Sequence, residues 1–222
     1  RVRHVGQSVA IVVAETVNQA KDAAETIKVD FVPLPFHLST GNANHAETPS
    51  LWPECPNNEP VFAEYGDELK VEAALEKAPH VIRQKFIINR VAGSTMEPRA
   101  VVARFDPGKN HYTIYACHQR PYIWRTMMTQ NMFEIPEHGM RLIAGDVGGS
   151  FGMKGGLYPE VPLVAWASKR VGRPVRWACE RTESLLSDDQ ARDMVVEAEL
   201  GLDSEGHFLG MRLKSQNNVG AY

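Results

Sequence analysis

Apolar positions along this chain come in short, punctuated runs. Ser8–Ala14 (S-V-A-I-V-V-A) is continuously apolar and rich in β-branched residues, the pattern of a buried strand. Thr16 can cap a helix through Ile27, in which Ala20, Ala23, Ala24 and Ile27 share one face. Lys28–Val32 alternates like a second strand and stops at Pro33-Leu34-Pro35, so the opening segment reads as a β–α–β unit. From Pro33 to Pro60, six of the fourteen prolines gather among Asn, Ser, Thr and Gly. This predicts an extended, weakly structured crossover between two domains.

The pattern resumes near Phe62. Asp67 can cap a helix to Lys77, with Leu69, Ala73, Ala74 and Ala78 apolar. Strand-like runs follow at His80–Asn89, Ala100–Phe105 and Tyr112–Ala116, the last two separated by the turn residues Asp106-Pro107-Gly108-Lys109-Asn110. Pro121 can open a helix, where its missing N–H costs nothing, and the helix runs to about Phe133. Then come a strand at Met140–Ala144, a glycine-dense loop, a helix at Glu160–Val171 ended by Gly172, a strand at Pro174–Ala178 and a short helix at Thr182–Ser187. A hairpin closes the chain, Met194–Leu202 and Phe208–Tyr222, turning at Asp203-Ser204-Glu205-Gly206. Mixed elements in this order predict an α+β fold.

Composition narrows the classes. With 43% hydrophobic and 23% charged residues in 222, the chain can bury a core and lacks the signature of disorder. A net charge of −3 leaves no basic footprint for nucleic acid or an anionic membrane, and the longest apolar run is only strand-sized. Cys55, Cys117 and Cys179 are far apart in sequence, which suits neither a metal cluster nor a disulfide framework and points to a reducing, cytoplasmic setting. The chain opens at Arg1 and closes within a strand-like run, so it is read as a piece of a longer protein.

Three constellations could carry chemistry. In G-D-V-G-G-S-F-G-M-K-G-G at 145–156, glycine density permits positive φ and close approach of backbone to a ligand, and successive N–H groups can form an anion-binding nest; a plain strand-to-helix turn fits the composition equally. The spacing matches neither a phosphate-binding Walker loop nor a dinucleotide loop. Phe151, an aromatic among glycines, must either plug the core or touch a ligand. His118-Gln119-Arg120-Pro121 sits where a strand yields to a helix: Gln119 is a neutral hydrogen-bonding group suited to an oxo or hydroxyl partner, or the segment is a helix cap with a solvated Arg. In Met96-Glu97-Pro98-Arg99, Glu97 could be a base and Arg99 an anion contact, against a surface ion pair at a turn; the charges between Cys179 and Asp193 suggest a solvated face. No histidine spacing suggests a protein-ligated metal.

Taken together, these segments resemble one family. R-V-R-H-V-G-Q-S-V-A-I-V-V-A-E-T, M-E-P-R-A-V-V-A-R-F-D, the H-Q-R-P turn, D-V-G-G-S-F-G-M-K-G-G and R-P-V-R-W…E-R-T-E-S-L-L-S-D…A-R-D follow the order and spacing of the large, molybdenum-binding subunit of the xanthine oxidase family, and among these the chain is similar to the aerobic carbon-monoxide-dehydrogenase type. The resemblance implies that residues 1–37 end an α/β hammerhead domain, that 38–60 are the crossover, and that 61–222 form most of the first molybdopterin-binding domain. It implies that Gly148, Gly149, Ser150, Phe151 and Gly152 lie beside the cofactor, and that Gln119 is directed at an oxygen ligand of molybdenum. The metal itself would be held by the pterin dithiolene, not by protein. The implied cofactor is molybdopterin with molybdenum in its cytosine dinucleotide form. The implied reaction is oxidation of carbon monoxide, an aldehyde or an N-heterocycle with water as oxygen source. Three cysteines cannot hold two [2Fe-2S] clusters, so iron–sulfur and FAD-binding subunits, in a dimer of heterotrimers, or other stretches of chain would supply the clusters and the flavin. Gly155 stands where the purine-oxidising branch has a glutamate, which disfavours purines. The substrate loop and the general-base glutamate are expected beyond Tyr222, so the isolated segment is expected to be inactive. The reading from another class is a non-catalytic module that binds a phosphorylated ligand at the glycine loop.

Overall fold

The computed structural model describes residues 1–221, so the expected strand end at Tyr222 lies outside the described residues. The chain divides into two compact units, residues 1–31 with 92–190 and residues 32–91 with 191–222.

The first unit is built on a four-stranded sheet. Its strands are β2 (Ala100–Asp106), β3 (His111–Ala116), β4 (Met140–Ile143) and β5 (Val175–Ala178), ordered β4-β3-β2-β5. The β2–β3 hairpin is antiparallel, with Ala103 opposite Ile114, and β5 pairs antiparallel on the far side of β2. Strand β4 joins β3 in parallel, which needs a crossover. That crossover is α3 (Pro121–Met127), with Pro at its start as expected, followed by a π turn at Met128–Met132 in place of a continued α-helix.

Alternation in β2 and β3 sends Val101, Ala103, Tyr112 and Ile114 to one face, where Trp124 and Met128 join them. The helix α4 (Glu160–Val171) lies there too, because Val161, Val164, Ala165 and Ser168 fall at helical spacing on its buried side. Glu160 in its first turn and Lys169 and Arg170 in its last suit the helix dipole, and Gly172 ends it at φ 67°.

The opening segment differs from expectation. Helix α1 (Val17–Glu25) forms, with Thr16 and Gln19 making a reciprocal capping box. Residues 8–14 and 28–32 form no ladder, and Val9, Ile11 and Val13 are exposed. A strand needs a neighbour for its backbone groups, and none of the described residues supplies one.

In the second unit, β1 (His80–Ala92), β6 (Gln190–Leu202) and β7 (Phe208–Asn217) form a sheet in the order β1-β6-β7. Helix α2 (Glu68–Lys77) is capped by Asp67, whose carboxylate accepts the Lys70 N–H. The helix can approach the sheet closely because β6 and β7 present glycines to it. A Cβ on Gly210 would lie 3.0 Å from that of Ala74, and one on Gly201 3.1 Å from that of Ala78. The proline-rich stretch is not a bare tether. Asn58 donates to the carbonyls of Ala43 and Pro49 and accepts from the Leu51 N–H, drawing the segment into a knot.

Candidate cofactor site

The candidate site lies in the first unit, where the strand-to-helix turn at 117–120 meets the glycine loop. The Gln119 N–H donates to the Lys154 carbonyl at 3.1 Å, and the Trp124 indole N–H on α3 donates to the Gly155 carbonyl, also at 3.1 Å. The two segments singled out separately in the sequence are therefore neighbours. Arg120 is the helix N-cap, exposed and without a side-chain capping bond, so the helix cap with a solvated Arg is present, and the exposed Gln119 stands one residue before it. The Gln119 amide makes no hydrogen bond among the described residues. A Cβ on Gly155 would stand 3.2 Å from its Oε1, so the absence of a side chain at 155 leaves room for the amide.

The loop is not a simple turn. Gly149, Phe151 and Gly152 all have positive φ, at 95°, 52° and 91°. For Phe151 that conformation is strained, and its ring is 78% exposed, so it does not plug the core. The Gly149 N–H donates to the Val147 carbonyl, the Met153 and Gly155 N–H groups close short turns, and the Lys154 N–H reaches the Ser150 hydroxyl. The N–H groups of Ser150, Phe151 and Gly152 donate to nothing among the described residues. A Cβ at Gly152 would meet nothing within 4 Å. Three successive N–H groups without a protein partner, on a loop whose residues 151 and 152 are exposed, leave donors available to a ligand.

The Met96–Arg99 turn corrects the expectation of a surface ion pair. Arg99 is 5% exposed and donates to Asp188 at 2.6 Å, to Glu160 at 2.8 Å and to the Ser187 hydroxyl at 2.7 Å, with its guanidinium 3.9 Å from the Tyr158 ring centroid. Burial acts to lower its pKa, but the charges of Glu160 and Asp188 raise it further, so it stays charged. Asp188 also accepts from the Ser184 hydroxyl, so the stretch expected to be a solvated face sends its centre inside. Glu97 points the other way. Its Oε2 accepts from the Gly148 N–H at 2.8 Å and from the Lys154 ammonium at 3.0 Å, while its own N–H donates to the Gly148 carbonyl. Burial pushes the Glu97 carboxyl up, but the Gly148 N–H and the Lys154 charge outweigh it and hold the group below the ordinary range. An ionised carboxylate committed to two donors is a poor general base at neutral pH.

Two residues at the site escaped the sequence reading. Lys154 is fully buried, although lysine is usually solvated; its place inside a glycine loop was the available hint. His118 is 3% exposed, packs tilted against Trp124 with ring centroids 4.7 Å apart, and leaves both ring nitrogens without a partner among the described residues. Burial pushes its pKa down, so it is neutral at pH 7. Among the described residues, Asp203, Glu205 and His207 are the only three potential metal ligands within reach of one another. They lie in the β6–β7 turn, Glu205 and His207 exposed and Asp203 half-buried, where Asp203 already accepts the Glu205 and His207 N–H groups.

The chain as a whole is similar to known proteins. The molybdopterin cofactor-binding domain family matches residues 51–222. The chain is 37% identical, over its whole length, to the gamma subunit of the 6-hydroxypseudooxynicotine dehydrogenase complex of Paenarthrobacter nicotinovorans. It is 32% identical, over 97% of its length, to the carbon monoxide dehydrogenase large chain of Hydrogenophaga pseudoflava. It spans 27% and 28% of those two relatives. The crystal structure of the Cu,Mo-CO dehydrogenase in its carbon-monoxide-reduced state overlays 91% of this chain with a TM-score of 0.85 and 31% identity, covering 27% of that chain. Quinoline 2-oxidoreductase from Pseudomonas putida 86 overlays the same share at 0.79 and 31% identity, covering 25% of its own chain. The chain belongs to the molybdopterin cofactor-binding domain family. Within it, the chain is a segment of a xanthine-oxidase-family large subunit, with the α+β fold expected of one.

Proposed function

We propose that this chain is part of the catalytic subunit of a molybdenum hydroxylase, and that residues 148–152 with Gln119 hold its molybdopterin. The observation carrying this is the row of unpaired N–H groups at Ser150, Phe151 and Gly152 beside the free Gln119 amide. When bound, the molybdenum centre supplies the two-electron redox chemistry. The protein's part is placement. The loop N–H groups offer fixed dipoles to the cofactor's anionic periphery at no reorganisation cost. Gln119 presents an uncharged amide to an oxygen of the centre. Phe151 offers an exposed aromatic face beside the cofactor.

The substrate class we propose is carbon monoxide, an aldehyde or an N-heterocycle, with water as the oxygen source. Gly155 provides no carboxylate to a purine. The cofactor is assigned the cytosine dinucleotide form, with [2Fe-2S] and FAD carried by partner subunits in a cytoplasmic dimer of heterotrimers. Residues 1–37 are assigned to a hammerhead domain, 38–60 to a crossover and 61–222 to the cofactor domain. The deciding experiment is metal and cofactor analysis of the full-length protein. About one molybdenum per chain is expected. A metal-free protein that retains a phosphorylated ligand would instead establish a non-catalytic binding module.

A further inference from the structure

Lys154 is the point where the pieces of the site are joined. Its N–H is held by the Ser150 hydroxyl at 3.2 Å, and its carbonyl receives the Gln119 N–H at 3.1 Å. Its ammonium, with no exposure to solvent, is held by Glu97 at 3.0 Å. Through the same Oε2, Glu97 holds the Gly148 N–H, and its backbone N–H returns to the Gly148 carbonyl. Closure is tight, since a Cβ on Gly148 would fall 2.5 Å from that of Glu97. Below, Glu97 is braced by Thr95, a fully buried residue whose hydroxyl donates to the Glu97 carbonyl at 2.6 Å. One lysine therefore links the start of the loop, its middle and the Gln119 turn.

We propose that Lys154 and Glu97 are positioning residues: their ion pair locks the 148–154 loop to the 95–97 turn, and thereby sets where Gln119 stands relative to the loop. This rests on the cofactor reading of Gln119 and the loop given above. A surface ion pair could not do this, because solvent would compete for both ends. The Lys154 ammonium is out of water while Glu97 is partly exposed, and among the described residues Glu97 is the one carboxylate paired with it, so loosening the loop strands the lysine charge. The pair acts through geometry and transfers no proton.

The test uses the full-length protein carrying Lys154→Met, Glu97→Gln, both together, and each with Gln119→Ala. Each single change leaves one charge without its partner. The double change leaves a neutral amide that can still accept from Gly148 and an apolar chain of similar length in the buried slot. Hydrogen exchange of the 145–156 peptide in cofactor-free protein should quicken about tenfold in each single variant and return toward wild type in the double. In loaded enzyme, Lys154→Met should lower kcat by roughly 100-fold with little change in KM. Gln119→Ala should then add less than about threefold on the Lys154→Met background, because the amide is already misplaced. Unchanged exchange in the single variants, or multiplicative losses from Lys154→Met and Gln119→Ala, would overturn the proposal. If a single variant does not accumulate, the double must still be soluble with wild-type exchange; its collapse counts against the proposal equally. A wild-type protein without molybdenum refutes the cofactor reading, while the exchange data still decide whether the latch exists.

Discussion

Two residues apart in one short turn, Arg99 and Glu97 meet opposite fates. The Arg99 guanidinium has two carboxylates, a hydroxyl and an aromatic face, all supplied by the unit around it. Nothing is left over for a ligand, and its work is to hold β2, α4 and the 184–188 segment together. Glu97 faces the glycine loop, where His118 is buried with both ring nitrogens unpaired and where the more exposed Gln119 amide and three loop N–H groups have no partner among the described residues. A region whose polar groups are saturated serves the fold. One that leaves donors unpaired at its surface keeps them free for a ligand. The contrast separates architecture from function within the same few residues.

The largest effect that would test this division is on the saturated side. Arg99→Met strands Asp188 and Glu160 and should cost about 3–5 kcal/mol, seen as a lowered melting midpoint of the full-length protein or as loss of soluble material. Arg99→Lys should not rescue it, since an ammonium cannot reach both carboxylates and Ser187 as a fork does. On the unsaturated side the reverse is expected. Gln119→Ala should leave melting within about 0.5 kcal/mol of wild type, while turnover falls by roughly 100- to 1000-fold, the worth of about 2.7–4 kcal/mol for one donor to developing charge. Equal damage to stability would place Gln119 with Arg99.

Gly152→Val sharpens the comparison further. The surrounding protein leaves room for a side chain, so only backbone strain of about 1–2 kcal/mol opposes it. Molybdenum incorporation should nevertheless be abolished in a folded subunit; wild-type metal content would move the cofactor away from this loop. The smallest effect is with pH. The Glu97 carboxyl is held below its ordinary value of 4.5, so its contribution is complete above that pH and is lost as the pH falls through the folded-state value. Glu97→Gln should flatten this acid limb in a series of melts between pH 3 and 6. A limb of unchanged steepness would show that the Glu97–Lys154 pair is not formed in solution.

Much of this was legible in the residues, for reasons that also explain the failures. Helices α1, α2 and α4 carry their own boundaries in Thr16, Asp67 and Gly172, because caps act within a turn of the chain. The glycine loop announced itself by density, and the motif order pointed to the family. What escaped was long-range pairing. Asp188 lies 89 residues from Arg99 and Glu97 lies 57 from Lys154, and nothing local distinguishes such charges from solvated ones. Residues 8–14 failed for the same reason: an apolar run says which residues can be buried but not which strand lies alongside.

The strained Phe151 has a consequence for anyone engineering this protein. Held at positive φ with its ring in water, it adds nothing to the stability of the polypeptide by itself. A screen that rewards heat resistance in the cofactor-free chain should therefore favour Phe151→Gly, which relieves a strain of about 1 kcal/mol. The same screen run on turnover should reject it if the proposed cofactor contact of Phe151 is made, because the change removes that contact. Selection for durability and selection for activity would pull this position in opposite directions.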